Sequence, residues 1–472
     1  MKPLIHRAQS LYLKSPRQFK KSVGHVGRSV PLSWLYGREF IRTNEFLEKS
    51  QYWSSEHHIE YQLDNLKKLL RHAYDNVPYY NELFRSVDFH PDDFNDLADM
   101  RRIPFLTKEI INGNLDRLVA TNIPSKDLKR TTTGGSTGEP MVFFMEKGRT
   151  RQREKAFMYQ QWKRVGFHLR DSVAVLRGTS PSGDRWYDFD PMTNSLILSS
   201  FKLSDETVGM YVDKLSEFQP RFLHVYPSTA TLLATLMLNN DLRLNYNPCS
   251  VLCGSEKLYP GQRELLQTVF NCRVYAWYGQ SEYVALAGEC EHSQYYHVFP
   301  EYGYVEFVET DRTYQHNGEE VYEIVATGFN NYALPFIRYR TRDYAVLADH
   351  DGCACGRNYP LIKDIIGRDQ DYIITSDKRL MSLTGLIFGQ HFDAFSRIER
   401  IQLVQNRVGE VEIRIVPCNT YRRQDEIEIS SKIMECIGNR GLTLEFDYVS
   451  EIPVTSMGKH VFLKQNLDLR LI

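Results

Sequence analysis

The sequence predicts an α/β fold: a large N-terminal body of helix-flanked sheets with a small β unit, followed by a small mobile α+β C-terminal domain. Strand-like and helical segments alternate between residues 171 and 277, which is typical of parallel βαβ units. From residue 302 to about 348 the pattern is that of strands alone, which predicts the small β unit beside the main sheet. After residue 367 a hairpin, a helix and a strand are predicted, and they form the C-terminal domain.

Length and composition limit the class of protein. The chain has 472 residues, 42% of them hydrophobic, and a net charge of −1. A nucleic-acid partner is therefore not expected. Eight cysteines in a chain of this length do not suggest a disulfide framework, so we expect a cytoplasmic protein. The predicted domains are a basic arm with a helical lead-in (1–59), a large domain (60–367) and a small lid domain (368–472).

The basic arm is the most unusual segment in charge. Residues 1–38 contain eight lysines and arginines and no acidic residue, with apolar side chains interleaved. Such a segment can lie peripherally on an anionic surface, which here would be the inner face of the membrane. The alternative is a solvated arm, or a segment docked on the enzyme body.

The helices of the body are predicted from apolar spacing and from breakers. Leucines at helical spacing between residues 61 and 70 predict a helix that Pro78 ends, and Thr107 is a plausible cap of the next helix. A charged amphipathic helix is predicted over 149–164. Further along, strands are predicted at 222–226, 250–253, 272–277, 304–308 and 321–325, and helices at 229–238 and 260–269.

The stretch Thr-Thr-Thr-Gly-Gly-Ser-Thr-Gly-Glu-Pro at 131–140 lies between two strand-like segments. Glycines leave backbone N–H groups accessible to phosphate oxygens, and the hydroxyls add donors. The stretch lacks the lysine of a Walker loop and leads into a strand. It is therefore interpreted as a phosphate-binding loop, and the alternative is a solvated hairpin turn.

Further polar residues follow predicted strands or turns. The ring of Tyr278 could stack on an adenine, and the nearby Glu282 could bind Mg²⁺ through its carboxylate. Asp343 is suited to two ribose hydroxyls. Lys459, on a glycine-containing loop near the C-terminus, could be carried by a mobile domain to the α-phosphate of a nucleotide.

In this order, the motifs at 131–140, 278–282, 339–343, 367–368 and 453–459 resemble those of the adenylate-forming superfamily of acyl-CoA synthetases, peptide-synthetase adenylation domains and luciferases. The segments at 74–84, 104–109 and 331–343 look like the phenylacetate-CoA ligase-like branch found in capsule and lipopolysaccharide gene clusters. The resemblance covers about residues 60 to 470.

The resemblance implies a role for each matching residue. Lys459 and Glu282 would be catalytic, with Glu282 as the Mg²⁺ ligand, and Asp371 would be the hinge of the small domain. Asp343 and Arg368 would bind the ribose, and Tyr278 would stack on the adenine. The remaining predicted ATP-binding residues are Thr132, Thr133, Gly134, Gly135, Ser136, Thr137 and Gly138 around the phosphates, Gly254, Ser255 and Glu256 beside the adenine, and Gly279 and Ser281 in the turn after Tyr278.

Two positions depart from the superfamily pattern. The phosphate loop ends in Glu139-Pro140-Met141 instead of the common Pro-Lys, and Arg342 replaces the usual glycine before Asp343. The first change removes one cation near the γ-phosphate. Both changes are plausible in this branch, so they are expected to weaken the use of ATP only slightly.

A second group of residues has the composition of a metal site. Cys290 and His297 lie in one predicted loop, and Cys353 and Cys355 lie in another. Three thiolates and an imidazole could close a tetrahedral Zn²⁺ site, whose role would then be structural. His297 is preferred over His292 because it begins a strand-like segment. The alternative is a set of reduced cysteines in contact without a metal.

The predicted function is an ATP-dependent, AMP-forming ligase that activates a small-molecule carboxylate as an acyl-adenylate. The acyl group would pass to CoA, to a carrier thiol or to an amino sugar, in the biosynthesis of surface polysaccharide. ATP and Mg²⁺ are the implied cofactors, with CoA and a structural Zn²⁺ as further candidates. The rival hypotheses are a catalytically silent nucleotide-binding scaffold and an acyltransferase that uses a preformed acyl-CoA.

Overall fold

The protein is described here by a computed structural model. The basic arm up to residue 34 lies outside the described part of the chain, so the predicted membrane contact stays a prediction. Among the described residues, no helix combines the length and the apolar character needed to cross a bilayer. The structure describes residues 35–132, 141–177, 181, 185–200, 202–309, 319–350, 352–368, 372–376, 380–383, 394, 397–437, 441–454 and 460–467.

The helices begin and end where capping residues and prolines predict. Ser54 accepts a hydrogen bond from the backbone N–H of His57, and the helix that follows ends at Asn76, after which a new helix begins on Pro78. The α-helices are Arg38–Ser50, Ser55–Asn76, Pro78–Ser86, Lys108–Gly113, Leu115–Leu118, Thr150–Lys163, Val208–Phe218, Pro227–Asn239, Pro260–Phe270 and Arg423–Ile437, with 3₁₀ turns at Pro91–Asp93, Leu97–Arg102 and Ser125–Asp127.

The strands are numbered in chain order. They are β1 Leu128–Thr132, β2 Val142–Glu146, β3 Val173–Leu176, β4 Tyr187–Asp190, β5 Ser195–Leu198, β6 Phe222–Val225, β7 Ser250–Cys253, β8 Arg273–Gly279, β9 Leu286–Gly288, β10 Tyr296–Val298, β11 Gly303–Glu309, β12 Tyr322–Gly328, β13 Tyr339–Leu347, β14 Leu361–Arg368, β15 Tyr372–Ile374, β16 Leu380–Ser382, β17 Ile398–Arg407, β18 Glu410–Pro417, β19 Thr443–Tyr448 and β20 Leu463–Gln465.

One twelve-stranded sheet organises the body, in the order β11-β12-β13-β14-β10-β9-β8-β7-β6-β3-β5-β4. Strands β5, β3, β6, β7 and β8 are mutually parallel. This is the βαβ arrangement predicted from the alternating pattern, and the predicted α/β class is confirmed.

The prediction of a separate small β unit is wrong in one respect. The antiparallel strands were expected to form a small unit packed beside the main sheet, but β9 pairs with β8, so β9 to β14 continue the same sheet. Strand β8 can serve both halves because it bonds β7 along one edge and β9 along the other. The antiparallel half is therefore rigidly connected to the parallel half.

The C-terminal residues form a second, smaller core. Strands β19, β18, β17 and β20 make a four-stranded sheet, and the helix Arg423–Ile437 buries Ile429 and Ile433 with them. The body contributes Tyr259 to this core, and its ring lies 5.5 Å from that of Phe462. The small domain is therefore docked against the body through buried apolar contact.

The predicted helical lead-in is described by the structure from residue 35 onward. The helix Arg38–Ser50 packs on the helix Thr150–Lys163, with Leu47 and Phe157 in one buried cluster. The hydroxyl of Ser50 donates to Glu301 over 2.6 Å. The predicted lead-in helix is thus part of the hydrophobic core of the body.

Candidate functional site

The predicted phosphate loop connects a β-hairpin. Strands β1 and β2 pair antiparallel, and Thr132 stands opposite Val142. Thr133, Gly134, Gly135, Ser136, Thr137 and Gly138 lie outside the described residues, as does the side chain of Thr132. The structure therefore describes the hairpin that carries the loop, and the phosphate contacts stay a prediction.

Several predicted site residues meet at the carboxyl ends of the parallel strands. Gly254 and Ser255 directly follow β7, and Gly279 ends β8, the neighbouring strand. A Cβ on Gly254 would lie 2.3 Å from the ring of Trp277, so only glycine fits there. Ligands of open α/β sheets bind at this edge.

Glu256 connects the body with the small domain. Its Oε2 accepts a hydrogen bond from the backbone N–H of Ser228 at 3.0 Å, and its Oε1 accepts one from the backbone N–H of His460 at 3.2 Å. Lys459 itself lies outside the described residues, but it is the chain neighbour of His460. The structure thus brings the end of the predicted lysine loop to the predicted adenine side of the sheet.

Tyr278 and Asp343 are direct neighbours. The hydroxyl of Tyr278 donates to Oδ2 of Asp343 at 2.8 Å, and Gln280 donates to that hydroxyl in turn. Asp343 is buried and pairs in backbone register with Arg368, whose side chain is not described. The predicted adenine-stacking and ribose-binding residues are therefore adjacent.

Arg342 explains how this chain tolerates the loss of a glycine before Asp343. Its φ is 59°, a left-handed conformation that glycine adopts without strain. The side chain reaches Glu109 at 2.7 Å on the surface. The backbone conformation that glycine favours is thus kept although the residue has changed.

Glu282 has the properties of a buried carboxylate ligand. Its relative exposure is 7%, and Tyr339 donates a hydrogen bond to Oε1 at 3.1 Å. Ser281, beside it, is exposed in the turn. A carboxylate whose orientation is restrained by a hydroxyl is a suitable oxygen ligand for Mg²⁺.

Arg177 and His224 are site residues that the motifs of the sequence do not predict. Arg177 directly follows β3 and is partly buried, and its Nη1 lies 2.5 Å from Nε2 of His224. Burial is the main cause that lowers the pKa of both groups, and for His224 the charge of Arg177 adds to it. The neutral imidazole therefore accepts from the guanidinium.

Aromatic faces and a hydroxyl complete the surroundings of Arg177. The guanidinium lies 5.2 Å from the ring of Tyr226 and 5.8 Å from that of Trp277, and it donates to the hydroxyl of Ser255. Its position after a strand of the parallel sheet was the signal that could have identified it. Within the described residues, no carboxylate forms an ion pair with it.

The four predicted metal ligands also meet in the structure, at a different place. The ligand atoms of Cys290, His297, Cys353 and Cys355 all lie within 4.8 Å of one another. A hydrogen bond from the thiol of Cys290 is the main cause that lowers the pKa of Cys355.

The predicted hinge residue Asp371 lies outside the described residues, so its role as a hinge stays a prediction.

Comparison with known proteins shows which proteins the chain resembles. A family model described as the CapK C-terminal domain matches residues 373–466. The chain is 24% identical over 422 residues to protein CapK of Staphylococcus aureus, which covers 87% of this chain and 89% of CapK. It is 27% identical over 325 residues to a phenylacetate-coenzyme A ligase of Escherichia coli (strain K12), which covers 66% of this chain and 71% of the ligase.

A solved structure agrees with these relatives. A 2-hydroxyisobutyryl-CoA ligase in the postadenylation state, in complex with 2-HIB-AMP, superposes with a TM-score of 0.69 at 15% identity, over 89% of this chain and 93% of that one. The chain therefore has the fold of the adenylate-forming ligases, with a small C-terminal domain.

The predicted resemblance to the adenylate-forming superfamily is thereby confirmed, and its relatives are enzymes of the predicted class, AMP-forming acid–thiol ligases. The chain is similar to CapK along most of its length, in agreement with the predicted resemblance to a capsule-related branch.

Proposed function

We propose that this chain uses ATP and Mg²⁺ to join a carboxylic acid to an acceptor in two steps. In the first, a carboxylate oxygen attacks the α-phosphorus of ATP, the bond from that phosphorus to the bridging oxygen breaks, and pyrophosphate leaves. In the second, a thiol or amine of the acceptor attacks the acyl carbon, loses its proton, and AMP leaves. Catalysis of such steps is mostly positioning and charge neutralisation.

The observation that carries this proposal is the double hydrogen bond to Glu256. One carboxylate accepts from Ser228 of the body and from His460 of the small domain. Because Lys459 immediately precedes His460, this contact supports delivery of a lysine cation to the strand ends where the nucleotide is proposed to bind. The cation would stabilise charge that develops on the α-phosphate.

The nucleotide is proposed to bind across the ends of β7, β8 and β13. Asp343 would accept from the ribose hydroxyls, and Tyr278 would present its ring to the adenine while its hydroxyl fixes Asp343. The hydroxyls and amides of residues 132–138 would bind the phosphates. Glu282 would hold Mg²⁺, which supplies neutralisation of phosphate charge when bound.

The acid is proposed to bind beside Arg177. Among the described residues the partly buried guanidinium of Arg177 hydrogen-bonds only to neutral groups and lies over ring faces. The charge of Glu256 acts on it without an ion pair, so its N–H groups can still bind an anionic or oxygen-rich group. We therefore place an oxygen-bearing substituent of the acid, in addition to the reacting carboxylate, next to Arg177.

CoA or another thiol is the proposed acceptor, with an amino sugar as the amine alternative. The similarity to a phenylacetate-coenzyme A ligase supports CoA as the acceptor. The similarity to CapK supports a role in surface polysaccharide biosynthesis. The acid and the acceptor would then be building blocks of that polymer.

Carboxylate-dependent exchange of pyrophosphate into ATP tests the first step. We expect exchange with at least one acid of a broad panel, and we expect Lys459→Ala to lower it by about 100-fold or more, because a transition-state cation is lost. Lys464→Ala is the matched control, since this exposed lysine of β20 lies in the same domain.

The same measurement separates the rival functions. A silent scaffold binds nucleotide without exchange for any acid. An acyltransferase that uses a preformed acyl-CoA transfers the acyl group without releasing AMP. Either result would overturn the proposed ligase activity.

A further inference from the structure

A cluster of sulfur and nitrogen ligands lies away from the strand ends where ATP is proposed to bind. Cys290 follows β9, His297 lies on β10, and Cys353 and Cys355 lie in the loop between β13 and β14. Their four ligand atoms all fall within 4.8 Å of one another. We propose that these residues bind one Zn²⁺ ion in a closed, structural site.

The spacing of the ligand atoms fits a tetrahedral ion. Zinc–sulfur bonds of about 2.3 Å and zinc–nitrogen bonds of about 2.0 Å place sulfurs about 3.8 Å apart, and sulfur and nitrogen about 3.5 Å apart. The sulfurs of Cys290 and Cys353 are 3.5 Å apart, and the sulfur of Cys355 is 3.4 Å from Nε2 of His297. A disulfide would need a sulfur–sulfur distance of about 2.05 Å.

The histidine is held in the tautomer that a metal needs. Nδ1 of His297 lies 3.0 Å from the carbonyl oxygen of Tyr295. Because a carbonyl can only accept, Nδ1 carries the proton of the neutral ring, and Nε2 presents its lone pair to the sulfurs. Metal-binding histidines are typically oriented by such a second hydrogen bond.

Backbone amides are placed to support a thiolate. The N–H groups of His292 and Ser293 point to the sulfur of Cys290 at 3.3 and 3.2 Å. Three thiolates and one Zn²⁺ together carry a net charge of −1, which such donors stabilise. The buried Arg357, two residues after Cys355, brings a cation that Glu291 balances at 2.6 and 2.9 Å.

The loop that carries Cys290 is fixed from outside the cluster. Nη1 of Arg164 donates to the carbonyl oxygens of Gly288 and Glu289 at 3.1 and 2.8 Å, and Nη1 of Arg273 donates to that of Glu291 at 2.7 Å. These contacts hold the backbone on both sides of Cys290, so the ligand is already in place before an ion binds.

The site is structural because four protein ligands leave no position for water. The cluster lies at the start of β14, whereas Arg368 ends that strand; the length from Leu361 to Arg368 is roughly 23 Å at the usual rise of a strand. The ion therefore does not reach the nucleotide. It ties β9 and β10 to the hairpin of β13 and β14, which carries Asp343.

An open groove gives the ion a path from solvent. It has a volume of about 400 Å³ and borders Cys353 on its surface side. Metal sites need such an entry path when they load after folding. The groove is lined by His292, Ser293, Tyr295, His350, Gly352, Cys353, Ala354 and Leu361.

Metal content of the full chain is the first test. The protein is purified under reducing conditions without a histidine tag, and its metals are measured by mass spectrometry. We expect one zinc per chain. After exchange with Co²⁺, we expect the visible absorption of tetrahedral cobalt and thiolate-to-cobalt charge-transfer bands in the near ultraviolet.

Variants then assign the ligands. Cys353→Ser and Cys355→Ser should each lose the zinc and lower Tm by several degrees, because ligand binding no longer stabilises the folded state. His292→Asn and Cys249→Ser are the controls: His292 lies beside the cluster but outside the ligand set, and Cys249 is an exposed free cysteine. Both should keep one zinc per chain.

Three results would overturn the proposal. Folded wild-type protein that holds less than about 0.1 zinc per chain after incubation with Zn²⁺ would exclude the site, and stoichiometric iron would exclude the choice of metal. A Cys290 to Cys353 disulfide that persists in wild-type protein purified under reducing conditions would exclude the ligand set. All three readings are made on wild type, so they do not depend on whether the variants fold.

Discussion

The backbone N–H of His460 donates a hydrogen bond to Oε1 of Glu256 over 3.2 Å, from the small domain to the body. The other carboxylate oxygen accepts a hydrogen bond from the backbone N–H of Ser228, in the first turn of the helix Pro227–Asn239. Glu256 therefore stabilises one specific arrangement of the two domains. Replacement of its side chain should slow the half-reaction that uses this arrangement.

We expect Glu256→Ala to slow acyl-adenylate formation by about 10-fold at saturating ATP, because two charge-assisted hydrogen bonds are lost. Transfer from a preformed acyl-adenylate should change by less than 2-fold (about 0.4 kcal/mol). Separate assays of pyrophosphate exchange and of thioester formation measure the two steps. Glu264→Ala, an exposed change on the next helix, is the control. Equal slowing of both steps would contradict the assignment.

Asp343 should determine affinity for the nucleotide. Asp343→Ala is expected to raise the KM for ATP by about 10-fold to 100-fold, since the ribose hydroxyls lose a charged acceptor. Tyr278→Phe removes only the hydroxyl that fixes Asp343, so a smaller increase of a few-fold is expected. Pyrophosphate release as a function of ATP concentration measures both. Asp349→Asn, an exposed change near the other end of β13, should leave KM unchanged. A larger effect for Tyr278→Phe than for Asp343→Ala would argue against this order of roles.

Arg177 should select the acid. Arg177→Met is expected to raise the KM for the preferred acid by about 10-fold or more and to leave the KM for ATP within 2-fold, because a buried polar partner is lost only for the acid. The loss should be largest for acids that carry an additional oxygen-bearing substituent. Pyrophosphate release over a matched pair of acids, with and without that substituent, measures the difference. Arg243→Met, a highly exposed change, is the control. An equal loss for both acids would remove the proposed contact.

His58 should make the folded state sensitive to acid. Its ring is buried against Tyr359, and neither ring nitrogen has a hydrogen-bond partner within the described residues. Burial lowers its pKa from 6.5 to about 4. Below pH 6.5 the unfolded chain therefore binds a proton that the folded chain does not, so this group costs stability as the pH falls from 6.5 towards 4.

We expect His58→Phe to unfold with a weaker pH dependence than wild type. The slope of unfolding free energy against pH should fall by up to about 1.4 kcal/mol per pH unit in the window between 6.5 and 4, and should not change above pH 7.5. Urea unfolding at pH 7.5, 6 and 5 measures it. His57→Phe is the control, since this neighbouring side chain is exposed. If the unfolding free energies of wild type and His58→Phe changed equally with pH, His58 would not titrate in this way.

Sequence alone was sufficient for local structure and for the class of enzyme. Apolar periodicity and the breaker at Pro78 predict helices, and short, mainly apolar runs such as Ser250–Cys253 predict strands, because these signals arise within a few residues. The motifs around Tyr278 and Asp343 were sufficient for the superfamily, since each one is contiguous in the chain.

Tertiary structure decided which distant residues meet. Pairing of β8 with β9 merges two expected units into one sheet, and no local pattern specifies a partner strand. Arg177 follows β3 and His224 lies on β6, so the two become a site only when β3 and β6 pair. The same is true of His460, which reaches Glu256 only because the small domain packs on Tyr259. Contacts between residues far apart in sequence depend on how whole elements pack, and that information is spread over the entire chain.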